Sequence, residues 1–328
     1  MCRDAAFGDR IRHMGQPALI VFRAIEPLTK SGQEKLDLGL DQLGAEDRAF
    51  RFTRDVRTGE TLIYATDELH LERIADRLTR EFGVGAASIG NPQVVYRETI
   101  RKASEAERKF IRQRDGRSEF GHVIIRLAPQ GAGAGFEFVN EVVGGTVPRQ
   151  NIKPVEQGIR EAREAGVLAG YEMVDIQATL CDGSYHEADS SELAFKMAAS
   201  EAFREAARQG SPVLLEPIMA MEVLTPEVLM GPIVSDLCLR RARIEYMERN
   251  GTTQTIMATF PLAEMFGYAI DLRSLTDGNA TCSMHFDRYE PLPDGMAPND
   301  DDHGAPVVAP RKPTPRGRNF SGELPEPD

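Results

Sequence analysis

Only four cysteines, Cys2, Cys181, Cys238 and Cys282, occur in 328 residues, far apart and without a C-x-x-C pair. That spacing argues against a zinc site and a disulfide framework, and it suits a reducing, cytoplasmic setting. Long apolar runs are missing too. None approaches the roughly 20 residues needed to cross a bilayer, and residues 1–14 alternate charge with small side chains where a signal peptide would carry an apolar core. A soluble protein without a membrane partner is expected. Also absent is any G-x-x-x-x-G-K-S/T segment, the loop that cradles nucleotide phosphates on backbone amides. No nucleotide hydrolysis is expected from this chain alone.

What the chain has is enough length and apolar content, 41% hydrophobic residues, for two or three cores of ordinary size. Its formal net charge of -12, spread evenly, would repel nucleic acid, because phosphate affinity comes from Lys and Arg displacing counterions. Any RNA contact must therefore be local. One basic stretch qualifies, with Arg97, Arg101, Lys102, Arg108, Lys109, Arg112, Arg114 and Arg117, although an ordinary solvated face accounts for such a run on charge pattern alone.

Hydrophobic periodicity divides the chain. Residues 18–24 are β-rich, and Ser31-Gly32-Gln33-Glu34 offers a capping box ahead of Leu36, Leu40 and Leu43 on one helical face. Residues 50–53 and 61–65 make a hairpin through Thr58-Gly59. Leu71, Ile74, Leu78 and Phe82 mark a second amphipathic helix, and residues 84–89 close the set. This order is the split βαβ, ferredoxin-like arrangement, an α+β unit with two helices on one face of a sheet.

The order recurs. A strand over 213–223 leads to a helix begun by Thr225 as N-cap with Pro226 at N1. Two strands then flank Asn250-Gly251, a strong hairpin signal, before a helix over 263–275 and a last strand over 281–289. Residues 91–211 form a different, α/β unit. One of its helices begins near Asn151, with the stripe Ile152, Val155, Ile159 and Ala162 and a left-handed stop at Gly166. The other starts at Asp189, with Glu192 three residues on, and ends at Gly210. The proline-punctuated residues 291–328 are expected to be disordered. The expected division is thus an extension over 1–16, units over 17–90, 91–211 and 212–290, and a tail over 291–328.

Gly131-Ala132-Gly133-Ala134-Gly135 has the look of a dinucleotide fingerprint, but it lies between strand-like segments instead of opening a helix, so no nucleotide site is assigned to it. Asp182-Gly183-Ser184-Tyr185-His186-Glu187 sits between a strand and a helix, where a loop holds polar groups in solvent. One reading is a serine hydrolase, with Ser184 as nucleophile, His186 as base and Asp189 as orienter, although known triads draw on distant segments and need an oxyanion hole. Another is RNA contact through imidazole, phenol and hydroxyl groups. A plain surface loop is the third.

The segment Asp182-Gly183-Ser184-Tyr185-His186-Glu187-Ala188-Asp189-Ser190-Ser191-Glu192-Leu193-Ala194-Phe195-Lys196 resembles the signature of domain IV of translation elongation factor G. Further segments follow that family's pattern in order: Glu68-Leu69-His70-Leu71-Glu72, Pro92-Gln93-Val94-Val95-Tyr96-Arg97-Glu98-Thr99-Ile100, Gly166-Val167-Leu168-Ala169-Gly170-Tyr171, Leu215-Glu216-Pro217-Ile218 and Pro261-Leu262-Ala263-Glu264-Met265-Phe266-Gly267-Tyr268-Ala269.

The resemblance, over residues 17–289, implies two ferredoxin-like domains, III and V, flanking a ribosomal protein S5 domain 2-like domain IV whose tip enters the decoding site of the small ribosomal subunit. It implies tip loops over 113–122 and 182–191, with Gln113, Arg114, Gly116, Arg117, Asp182, Gly183, Ser184, Tyr185 and His186 meeting ribosomal, messenger and transfer RNA. Gly267, Tyr268 and Arg273 would approach the large-subunit factor-binding RNA. No metal, cofactor or catalytic residue is implied for this chain, since GTP and Mg belong to a GTPase domain that this sequence lacks, so either the chain is a fragment or a separate GTPase half supplies nucleotide control. Arg114, Asp115 and Ser118 stand where the family carries glycine, which motivates an alternative, a ribosomal protection or recycling paralogue.

Overall fold

The computed structural model describes residues 18–27, 29–54, 61–84, 87–114, 117–186, 189–293 and 295–296. The Thr58-Gly59 turn, Gly116, the 1–16 extension and nearly all of the tail lie outside them.

The first module is built from β1 (Val21–Pro27), α1 (Lys30–Glu46), β2 (Arg51–Arg54), β3 (Thr61–Ala65), α2 (Glu68–Arg80) and β4 (Ala87–Ile89). The strands pair antiparallel in the order β2-β3-β1-β4, the ferredoxin-like sheet, and the short β5 (Gln93–Val94) also pairs with β1. Leu36, Leu40 and Leu43 of α1 and Leu71, Ile74 and Leu78 of α2 are buried against it, as their spacing requires. The cap of α1 differs from expectation. Thr29, two residues before Ser31, accepts the Gly32 amide at 3.1 Å.

After β6 (Arg97–Ile100), the central module contains β7 (Ser104–Arg114), β8 (Arg117–Pro129), β9 (Phe136–Asn140), α3 (Arg149–Glu164), β10 (Ile176–Ser184) and α4 (Glu192–Gln209). Its sheet runs β7-β8-β10-β9, with β9 and β10 parallel. Both helices cover one face. Ala198, Ala199, Ala202, Ala206 and Ala207 of α4 are buried, a strip of small side chains that lets the layers come close. At Gly121 a Cβ would stand 2.5 Å from the Ala194 carbonyl, and at Gly158 one would stand 2.2 Å from the Lys196 carbonyl oxygen. Gly166 takes the left-handed φ of 60° expected of a helix stop. Helix α4 is capped by Ser191, whose hydroxyl accepts the Ala194 amide at 3.1 Å, and not by Asp189. Ser191→Ala is expected to cost about 1 kcal/mol, read as a lower urea midpoint, with Asp189→Ala changing it by less than about 0.5 kcal/mol.

The most unusual polar feature joins these parts. Glu98 on β6 is fully buried, and its carboxylate accepts five backbone amides, from Val167, Leu168, Ala169, Gly170 and Tyr171, at 2.7–3.1 Å. The loop closes around one anion.

The last module repeats the first: β11 (Pro212–Pro226), α5 (Met230–Leu239), β12 (Arg243–Asn250), β13 (Thr253–Pro261), α6 (Tyr268–Leu275) and β14 (Thr281–Pro291), with sheet order β12-β13-β11-β14. Two helix starts differ from expectation. Thr225 and Pro226 stay in the strand, Thr225 makes no cap, and a 3-10 turn, Glu227–Leu229, precedes α5. The expected 263–275 helix is interrupted at Gly267, whose left-handed φ of 72° separates a 3-10 turn, Leu262–Glu264, from α6.

β6 pairs antiparallel with the start of β11. The first and last modules share one hydrophobic cluster, while the central module has its own. Between the outer modules the Gly267 amide donates to the Glu68 carboxylate at 3.0 Å. No helix among the described residues is long and apolar enough to cross a membrane.

Candidate RNA-contacting tip

Three strands of the central sheet deliver chemistry to one end. Residues 113–122, expected as a loop, are mostly strand: β7 and β8 pair continuously from Ser104↔Leu127 to Arg114↔Arg117. Alternation hides this hairpin in the sequence, because β7 is an edge strand that carries charge on both faces. Gln113 is exposed. Arg114 and Arg117 pair with each other in register at the hairpin end.

Asp182, Gly183 and Ser184 likewise belong to a strand, β10, and only after Ser184 does the chain leave the sheet. Gly183 is buried, Ser184 half-buried, and Tyr185 and His186 are exposed. The Asp182 carboxylate accepts from the Thr146 hydroxyl at 2.6 Å and from the Gly183 amide at 2.8 Å, which holds its pKa below the usual carboxylate range. The returning chain docks on β8: the Phe120 amide donates to the Asp189 carbonyl at 2.7 Å, and Ser190 bridges Phe120. The His186 amide donates to the Ser190 hydroxyl at 2.9 Å. Its imidazole meets the Phe120 ring edge-on, centroids 4.2 Å apart.

The hydrolase reading does not survive this geometry. The Ser184 hydroxyl lies 2.7 Å from Nδ1 of His122, not against His186, and Nε2 of His122 lies 2.9 Å from the Glu107 carboxylate. Ser184 is also a strand residue paired with His122, flat against its neighbours instead of raised on a turn toward amide donors. Sequence reasoning missed Phe120, His122 and Glu107. Phe120 and His122, two apart on β8, share the sheet face turned away from the helices, but nothing local in the sequence ties them or Glu107 to Ser184 and His186.

Three cations of the basic stretch are ion-paired. Arg97 pairs with Glu172, Arg108 with Glu205 and Lys109 with Glu107. Hydrogen bonding by Lys109, reinforced by the nearby His122, keeps the Glu107 pKa low. Arg112 remains an exposed cation near the tip.

In the last module, Tyr268 is a core residue and not a surface contact. Its side chain is fully buried under the Arg240 guanidinium, 5.1 Å from the ring centroid, and burial raises its pKa. Gly267 is half-buried and Arg273 exposed. Of these three, only Arg273 exposes a side chain at the surface.

Paired ferredoxin-like modules thus bracket an α/β module whose end exposes aromatic, imidazole and basic groups. The chain belongs to the elongation factor G family. It matches Elongation factor G, domain III over residues 16–88, domain IV over 92–211 and the Elongation factor G C-terminus over 213–299. A crystal structure of a protein from Thermus thermophilus is similar at 36% sequence identity and a TM-score of 0.67, over 88% of this chain and 43% of that one. The chain therefore spans less than half the length of that relative.

Proposed function

We propose that this chain binds the ribosome and promotes movement of transfer and messenger RNA by inserting the central module, tip first, into the decoding site. The observation that carries this reading is the convergence of Tyr185, His186 and the β7–β8 hairpin at one end, with Tyr185 and His186 exposed on a loop tied down at both sides. Phenol and imidazole rings give π-faces and hydrogen-bond donors to unstacked bases, and the exposed Arg112 on the hairpin supplies phosphate affinity locally on an acidic protein. Nothing in this step consumes nucleotide. The outer modules serve as the base against the ribosome, with Arg273 as a large-subunit contact. Nucleotide control would come from a separate or preceding GTPase part.

The test is binding of the purified chain to vacant ribosomes at low salt, followed by sedimentation. Tyr185→Ala with His186→Ala is expected to weaken binding about tenfold or more, since each lost base–ring contact is worth about 1–3 kcal/mol. Affinity and footprint unchanged in this double variant would remove the tip from the interface.

A further inference from the structure

We infer that His122 is the positioning residue of the tip, a brace that joins both tip elements and sets where Tyr185 and His186 stand; this rests on the reading of the tip as the ribosome-contacting end. The ring lies in the middle of three strands. Nε2 reaches Glu107 on β7 at 2.9 Å and Nδ1 reaches Ser184 on β10 at 2.7 Å, while the side chain is only 11% exposed. Ser184 is the last residue of β10 and the pivot from which the exposed pair departs.

The brace acts where the ladder is weakest. Between Leu180 and Asp182 the pairing of β10 with β8 shifts register, so only Asp182, Gly183 and Ser184 remain paired beyond the irregularity. A strand end held by so few bonds frays. The Ser184 side chain, anchored on a nearly buried ring, opposes that, and two residues along β8 Phe120 holds the far end of the same loop. Through Glu107 the ring also touches the strand that continues to the hairpin end at Arg114.

Proton bookkeeping makes the brace durable. An ionised carboxylate only accepts, so Nε2 carries the hydrogen facing Glu107, and in the neutral ring Nδ1 accepts from the Ser184 hydroxyl. In the imidazolium Nδ1 becomes a donor and the hydroxyl accepts. Both protonation states keep both contacts.

The experiment uses the full chain and two readouts: hydrogen exchange of the His186 amide, which is bonded to Ser190, and sedimentation with vacant ribosomes. Asparagine places its amide where Nδ1 stood and keeps the Ser184 contact, whereas glutamine reaches the Nε2 position and keeps only Glu107. His122→Gln and Ser184→Ala are expected to speed exchange of the His186 amide about fivefold to tenfold, the loss of one hydrogen bond, and to weaken ribosome binding by a similar factor. His122→Asn should restore most of both. Arg126→Gln, on the same sheet face toward the other end and paired with Glu105, should change neither. Equal effects of the asparagine and glutamine variants, equal effects of Arg126→Gln, or exchange unchanged in Ser184→Ala would each overturn the assignment. If the unmodified chain ignores ribosomes, the functional reading fails while exchange still decides the brace.

Discussion

Glu98→Gln is expected to destabilise the protein by about 3 kcal/mol, although it changes a single oxygen to an NH2 group. The carboxylate receives three amides on one oxygen, from Ala169, Gly170 and Tyr171, and two on the other, from Val167 and Leu168. A glutamine in its better orientation keeps the three and turns donors toward the other two. Two backbone amides then lose their partner in a buried place, at about 1–3 kcal/mol each, and only part of that is recovered by relaxation. Each amide-to-carboxylate bond is charge-assisted, so no neutral acceptor replaces it fully. Urea unfolding followed by circular dichroism reads the shift directly. A midpoint indistinguishable from the unmodified chain would mean that the loop is held by its own turns and not by the anion.

Gly158→Ala should be nearly as damaging, for a reason opposite to propensity. In an open helix interior alanine is favoured over glycine by about 1 kcal/mol. At Gly158, however, the new Cβ would lie 2.2 Å from the Lys196 carbonyl oxygen and 3.2 Å from its Cα, both backbone. No rotamer can relieve that contact, so α3 and α4 must separate and open the alanine-rich seam between them. Overpacking of this kind costs about 1–3 kcal/mol and occasionally more, so a net loss of about 2 kcal/mol is expected. Gly44 in α1 is the control: it is exposed, a methyl group added there would meet only the Phe52 ring at 3.5 Å, an ordinary contact, and Gly44→Ala should raise stability by about 0.5–1 kcal/mol. Thermal or urea midpoints that move the same way in both variants would refute the packing argument.

These two sites mark the boundary of what the sequence discloses. The strand–helix order of both ferredoxin-like modules was legible because each buries a single face, so Leu36, Leu40 and Leu43 or Leu71, Ile74 and Leu78 must repeat at helical spacing. Helix starts were less legible. Thr29 and Ser31, or Asp189 and Ser191, are chemically equivalent caps, and only packing chooses between them. The break at Gly267 was hidden for a similar reason, since an isolated glycine fits both a continuous helix and a left-handed interruption. For the tip, resemblance pointed to Tyr185 and His186 but not to their supports. Phe120, His122 and Glu107 lie on β7 and β8, His122 a full 62 positions from Ser184, and nothing local ties them to the exposed pair. Tyr268 shows the converse: a motif match says nothing about which way a ring faces.

The pairing of β6 with the start of β11 has a mechanical consequence. The chain enters and leaves the central module through two adjacent, hydrogen-bonded strands, while the outer modules are fused by a common interior. A force applied at the tip would reach that footing through this ladder and through the Glu98-centred loop beside it, two anchors side by side that resist twisting more than either would alone.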